Sequence, residues 1–333
     1  MTSTAGAPTI AARRSRQYWV DQFERFGLVI AWALCIAVFG WLRPETFLTW
    51  SNFATMLGSQ AVLVVVTLGL IIPLTAGDYD LSIASTLTLS SMMIAVLNVN
   101  GEVPIGWAIL AALAMGIAVG AINAFFILYF RIHSLIVTLG VGTFLNGVTL
   151  WISDSMTISG IASPLVQYVI VKRLFGVPLE FYYALILCML VWYFFTYTGI
   201  GWSLLFVGRG REVARLSGID VDRMRLGALI VSAVFGALAG VLYSGTTGAA
   251  DPTSGLTYLL PAFAASFLGA TSITPGRFNP MGATIAVYFL VTGITGLSII
   301  GISTFVQNLF YGGALVIAVT LSQIVRGREE RLT

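Results

Sequence analysis

The sequence predicts an all-α, polytopic integral membrane protein. Three features point to it: charges are scarce, uncharged runs are long, and the arginines fall in alternate gaps between those runs. Of 333 residues, 58% are hydrophobic and only 9% are charged, about a third of the charged share of soluble domains. Uncharged runs cover 46–77, 81–101, 103–130, 181–208, 226–250, 252–276 and 278–325, each able to hold a spanning helix of about 20 residues. None shows the ~10-residue polar/apolar alternation of a membrane barrel, so helices are left to satisfy the backbone in lipid.

Breaks at Gly, Pro and polar residues place ten spans near 27–42, 53–76, 82–98, 104–130, 134–152, 181–198, 226–247, 256–273, 281–299 and 303–324. Asp21, Glu24 and Arg25 interrupt the approach to the first span, so it reads as a retained anchor rather than a cleaved leader. With the N-terminus inside, the inner segments carry Arg13, Arg14, Arg16, Arg25, Arg131, Arg209, Arg211, Arg215, Arg223, Arg225, Arg277, Arg326, Arg328 and Arg331. Only Arg43, Lys172 and Arg173 lie outside, the asymmetry of the positive-inside rule.

The expected layout is therefore a cytoplasmic segment 1–26, one transmembrane domain 27–325 with a cytoplasmic loop 199–225, and a cytoplasmic tail 326–333, in a bacterial inner membrane. Five spans on each side of the outer segment 153–180 would make a 5+5 inverted repeat. Gly116 with Gly120 and Gly236 with Gly240 have the spacing that lets helix backbones approach closely.

Several chemistries are excluded by residues the chain lacks. Lys172 is its only lysine and lacks the glycines and Ser/Thr of a phosphate-cradling loop, so this polypeptide cannot hydrolyse ATP by the Walker mechanism. His133 is its only histidine, which rules out bis-histidine haem and a histidine-based zinc site. Cys35 and Cys188 sit in apolar runs without metal or redox spacing and read as packing residues. No catalytic residue, metal site, bound cofactor or nucleic-acid partner is expected.

What remains is binding and movement. In the 199–225 loop a short helix ended by Gly218 puts Glu212 and Arg215 on one face and Val213 and Leu216 on another. Such a helix fits a groove on a cytoplasmic partner, or rests on lipid headgroups; spacing alone leaves both open. Asp78 and Asp80 interrupt an apolar stretch, and carboxylates near a membrane must face water, polar groups or a partner charge. Gly77 supplies backbone freedom there. Asp80 is expected to cap the next helix through the N–H groups of residues 82 and 83, helped by Ser82, with gating or solute contact as the alternative. A neutral polyhydroxylated solute needs hydrogen-bonding groups and aromatic faces without fixed charge. Asn123, Phe144, Asn146, Trp151, Ser266 and Asn308 are candidates, each equally able to join helix to helix.

Four stretches carry a resemblance. Val213-Ala214-Arg215-Leu216-Ser217-Gly218-Ile219, Ala76-Gly77-Asp78-Tyr79-Asp80-Leu81-Ser82, Gly248-Ala249-Ala250-Asp251-Pro252-Thr253-Ser254-Gly255 and Leu268-Gly269-Ala270-Thr271-Ser272, with Gln307 and Gly312, resemble the permeases of carbohydrate-importing ABC transporters, the ribose-permease-like family. The resemblance covers nearly the whole chain. It departs at Asp78, where a second glycine is usual, at Ala84, where glycine is common, and at Pro275-Gly276-Arg277-Phe278, where a glycine-rich turn is usual.

The resemblance implies a pore-forming subunit whose residues Arg211, Glu212, Val213, Ala214, Arg215, Leu216 and Gly218 dock onto a separate ABC ATPase that holds ATP and magnesium. It also implies an external solute-binding protein and a second permease subunit, identical or paralogous. The alternatives are an ion-gradient-driven secondary transporter using Asp78 and Asp80, and an ABC permease for nucleosides or branched-chain amino acids.

Overall fold

The computed structural model describes residues 10–302 and 305–329; the side chains of 10–21, 23–24, 307–308, 318 and 321–329 are outside that description. Asn308, Gln307 and the arginines at 13, 14, 16, 326, 328 and 331 therefore lie outside the described side chains. The helices run α1 (Ile10–Leu42), α2 (Pro44–Phe47), α3 (Trp50–Ser59), α4 (Ala61–Thr75), α5 (Ile83–Ala95), α6 (Ile105–Tyr129), α7 (Ser134–Ile152), α8 (Ser163–Val166), α9 (Leu179–Tyr197), α10 (Gly199–Arg209), α11 (Arg211–Leu216), α12 (Val221–Thr247), α13 (Leu256–Gly269), α14 (Pro280–Ile299) and α15 (Phe305–Glu329). Helix α5 continues as a π-helical turn over Val96–Asn100, and a second such turn, Gln167–Val171, follows α8. Strands are confined to two two-residue pairings, β1 (Ile158–Ser159) with β4 (Ala249–Ala250) and β2 (Arg173–Leu174) with β3 (Val177–Pro178).

Each of the ten predicted spans falls on a helix. Among the described residues, seven helices are long and apolar enough to cross a membrane, or eight when α3 and α4 are counted as one broken span. The all-α polytopic architecture is thus as expected, and the described helices that pass on length and composition number fewer than the ten spans read from sequence. The span read as continuous over 53–76 is bent by 41° between α3 and α4, at Gln60, where Gly58-Ser59-Gln60 breaks the apolar run. A Cβ at Gly58 would stand 2.8 Å from the Pro178 ring and 3.0 Å from Glu180 Oε1, so α3 is pressed against the start of α9.

Helix α4 is the centre of the molecule, with all fifteen of its residues buried. It is hydrophobic all round, as a helix enclosed by other helices must be, and α12, α13, α14 and α9 pack around it. Helix α12 is the second hub, lying against α4, α5 and α6. The glycine pairs make these contacts close: Gly116 and Gly120 of α6 face Ala237, Ala233 and the Leu229–Ile230 backbone of α12, while Gly236 and Gly240 of α12 face Ile83, Leu87 and Ser90 of α5. Without a hydrophobic gain between helices in lipid, such close backbone packing supplies the attraction.

Loops assigned to one side of the membrane bond to each other. At one end, Ile273 N and Ser272 Oγ donate to Arg25 O (2.9 and 3.1 Å), Tyr79 N donates to Ser134 Oγ (3.0 Å), and Arg131 pairs with Asp222 (3.0 Å). At the other end, Trp50 Nε1 donates to Phe175 O (3.1 Å), Ala162 N to Asn98 Oδ1 (2.8 Å) and Gly160 N to Gly248 O (3.1 Å), and β1 pairs with β4. The described arginines 25, 131, 209, 211, 215, 223, 225 and 277 gather at the first end; Arg43, Lys172 and Arg173 gather at the second.

Candidate functional site

The arginine-rich end is organised around Asp78. Helix α4 ends at Thr75; the carbonyl of Pro73, in its last turn, accepts from both Ala76 N and Asp78 N (2.9 Å each), and Gly77 turns the chain at φ +77, a conformation that favours glycine. The Asp78 carboxylate then meets two arginines. Arg225, in the first turns of α12, grips it from Nε and Nη2 at 2.6 and 2.8 Å, and both side chains are almost fully buried. Arg211, the first residue of α11, donates to Asp78 Oδ1 (3.0 Å) and to the carbonyl of Gly77 (3.1 Å). One carboxylate thereby ties three elements together: the α4–α5 loop, α11 and α12.

Asp80 has a different environment, without a cation. Its Oδ1 accepts from Ser82 N (3.0 Å) and Ser82 Oγ (2.6 Å), and its Oδ2 accepts from Ser232 Oγ (2.7 Å). Ser82 Oγ in turn accepts from Asn123 Nδ2 (2.7 Å). Complete burial pushes the Asp80 carboxyl up from its ordinary range, opposed by these hydrogen bonds. The capping geometry expected from sequence is present at Ser82 N, with Ser82 taking part through its hydroxyl. Thr138 braces the same loop, accepting from Leu81 N (3.1 Å) and donating to Tyr79 O (3.2 Å).

Helix α11 projects from this network. It spans six residues, and Gly218 at φ +83 follows it, as a left-handed residue beyond a helix C-terminus does. Ala214 is buried inward, while Val213 is 60% and Leu216 90% exposed. An aliphatic pair so exposed beside Glu212 and Arg215 is an uncovered apolar face rimmed by charge. Arg215 also reaches Asp222 at 3.7 Å.

The family model for branched-chain amino acid transport system permease components matches residues 52–319. The chain belongs to this family. Its relatives include the D-allose transport system permease protein of Escherichia coli K12, 30% identical over 91% of this chain and 93% of that protein. The ribose import permease protein of the same strain is 29% identical over 93% of this chain and 97% of its own length. The galactose/methyl galactoside import permease protein of Salmonella typhimurium is 27% identical over 95% and 99%. No solved structure matches. The resemblance to ribose-type carbohydrate permeases read from the four sequence stretches is borne out.

Five of the six pathway candidates have described side chains, in differing surroundings. Asn123 is fully buried against Ser82, and its Oδ1 is left without a partner among the described residues. Ser266 is buried and spends its hydroxyl on Ala262 O of its own helix (2.7 Å). Phe144 and Trp151, seven residues apart on one face of α7, are 70% and 78% exposed, and Asn146 is half-buried on another face of the same helix. Asn308 lies outside the described side chains.

The structure adds a residue that sequence reasoning assigned to a loop. Glu180 sits in the first turn of α9, only 1% exposed. The span predicted from sequence begins at 181, one residue beyond it. The available signal was the apolar stretch on both sides of it, Val177-Pro178-Leu179 and Phe181 onward, since a lone carboxylate inside such a run is expensive and functional by default.

Proposed function

We propose that this chain is the pore-forming permease of an ATP-driven importer for a monosaccharide, moved by a separate ATPase that docks on α11. The observation that carries this reading is coverage. Permeases named for allose, ribose and galactose match over at least 91% of this chain and 93% of their own lengths, so the likeness extends over the whole transport domain rather than one motif.

The arginine-rich end, with α11, faces the cytoplasm in this reading, because basic residues stay on the inner side. Exposed Val213 and Leu216 would enter a groove on the ATPase while Glu212 and Arg215 orient the contact. The ATPase carries ATP and magnesium; an external binding protein delivers the sugar; a second permease subunit completes the pathway. Asp78 and Asp80 are both satisfied by fixed protein groups at one end of the molecule, which supports a structural role over the ion-coupling role of a secondary transporter.

The test is Arg215→Asp with Leu216→Asp, read by copurification of the ATPase and by uptake of labelled D-allose, D-ribose and D-galactose. Loss of both supports the reading. An intact complex with normal transport removes α11 as the docking element.

A further inference from the structure

Helices α9, α10 and α12 leave a gap where they meet. Between them, with α4 behind, lies a cavity of about 370 Å3. Its wall on α12 is one stripe, Arg223, Met224, Gly227, Ala228, Val231 and Phe235, the three- and four-residue spacing of a single helix face. From Arg223 to Phe235 the stripe runs about 18 Å at 1.5 Å per residue. Buried Ile72 of α4, Val191 of α9 and Leu204 of α10 floor the cavity, while Leu190, Ile200 and Val231 stand exposed at its edges. The cavity is therefore a slot, closed behind and open along one side. Gly227 keeps it wide, since a Cβ there would meet no atom within 4 Å.

The chemistry of the slot is uneven along its length. Arg223 is the one charged residue that lines it, and every other lining side chain is apolar. A sugar hydroxyl would find no hydrogen-bond partner along such a wall, so the slot is no route for a polar solute. Arg223 stands at one end, in the first turn of α12, with its side chain 82% exposed and its Nε 2.9 Å from Asp220 Oδ2. Tyr197 and Trp202, on the turn from α9 into α10, are exposed as well, and such aromatic residues favour the headgroup level of a bilayer. From Arg223 the slot runs toward the middle of α12, which continues to Thr247. Half of a hydrocarbon core ~30 Å thick is about 15 Å, so the slot matches the depth of one leaflet.

An apolar slot of that length, open at its side and carrying a cation where headgroups lie, fits one occupant. We propose that it holds an acyl chain of an anionic phospholipid from the leaflet at the arginine-rich end, with the lipid phosphate on Arg223. Arg223 supplies the charge that complements the headgroup, and the walls supply the apolar contact. The proposal requires only that the chain cross a membrane and is independent of what it transports.

The test titrates purified full-length permease in dodecyl maltoside with palmitoyl-oleoyl phosphatidylglycerol and counts bound lipids by native mass spectrometry. The wild type should hold one lipid distinctly more tightly than any that follow. Gly227→Phe fills the slot and should weaken that first lipid at least tenfold, each methylene displaced from an apolar site being worth about fourfold. Arg223→Gln should weaken it about fivefold, the worth of one basic residue at an anionic surface. Gly106→Phe on α6, where a Cβ likewise meets no atom within 4 Å, should leave it unchanged. If Gly227→Phe fails to accumulate, Gly227→Leu takes its place, and if neither accumulates, Arg223→Gln decides. A wild type that holds no lipid above the rest overturns the proposal, as do slot and arginine variants that bind the first lipid with wild-type affinity. If Gly227→Phe separates paired copies of the chain while the lipid count stays the same, the slot is an interface between copies and the proposal is again overturned.

Discussion

Replacing Asp78 by Asn tests the clasp at the arginine-rich end. The substitution keeps shape and one carbonyl acceptor but removes the charge that neutralises Arg225, whose side chain is 7% exposed. An uncompensated buried cation costs ~3–5 kcal/mol when its partner is removed. The Arg211 arm adds little to that sum, because Arg211 is 42% exposed and solvent-screened pairs are worth about 1 kcal/mol or less. The expected loss is therefore ~3–5 kcal/mol for Asp78→Asn and about 1 kcal/mol for Arg211→Gln. Replacing Arg225 as well, as Asp78→Asn with Arg225→Met, should recover much of the loss, since no buried charge then remains. Unfolding by sodium dodecyl sulfate in mixed micelles, followed by helical circular dichroism, measures all three. If Asp78→Asn lies within about 0.5 kcal/mol of the wild type, the size expected of an ordinary surface substitution, the carboxylate does not neutralise Arg225 and the argument fails.

Two further outcomes follow from the same geometry. Asp80→Asn should leave uptake within about twofold, because an amide oxygen still accepts from Ser82 N and its NH2 can donate to Ser232, a change of about 1 kcal/mol; abolished uptake at normal membrane abundance would place Asp80 in the pathway instead. Gly120→Val should cost ~1–3 kcal/mol by overpacking, since a Cβ there stands 2.5 Å from Ile230 Cα and 2.9 Å from Leu229 O, and a wild-type denaturation midpoint would show that α6 and α12 tolerate separation.

What was legible in the sequence was what depends on composition and short spacing. Helical elements, their order and the loops that share an end follow from apolar runs and arginine placement. The bond from Ser82 N to Asp80 just ahead of α5 follows from Asp-Leu-Ser, because donor and acceptor lie two residues apart. Partners distant in sequence left no such trace: Arg225 is 147 residues from Asp78 and Ser232 is 152 from Asp80. The break at Gln60 left a short trace, Gly58-Ser59-Gln60 inside a long uncharged run, and in the fold α3 lies close against the start of α9 at Gly58. Glu180 was missed for a boundary reason, since charge was used to punctuate the spans and so a buried charge was read as a loop. Asp78 could be flagged as a departure from the usual glycine, yet only the fold shows that two arginines accompany the change.

The clasp and Glu180 stand toward opposite ends of one element. Helix α4 is about 22 Å long at 1.5 Å per residue and is buried along its whole length. At one end a Cβ on Gly208 of α10 would collide with the Thr75 carbonyl, and Arg211 holds the carbonyl of Gly77. Past the other end, Gly58 rests on Pro178 and Glu180. An enclosed helix of interlocked side chains has no slack to absorb a push, because close-packed interiors transmit strain. In the permease reading, movement of α11 would reach the α3–α4 bend along α4, where the bend bears on Glu180. Gly208→Ala and Gly58→Ala each wedge one end of this path, so both should weaken sugar-dependent stimulation of ATP hydrolysis in the assembled transporter while leaving basal hydrolysis in place. If Gly58→Ala blocks uptake but leaves that stimulation at the wild-type level, the two ends are not joined through α4, and the signal must travel by another helix.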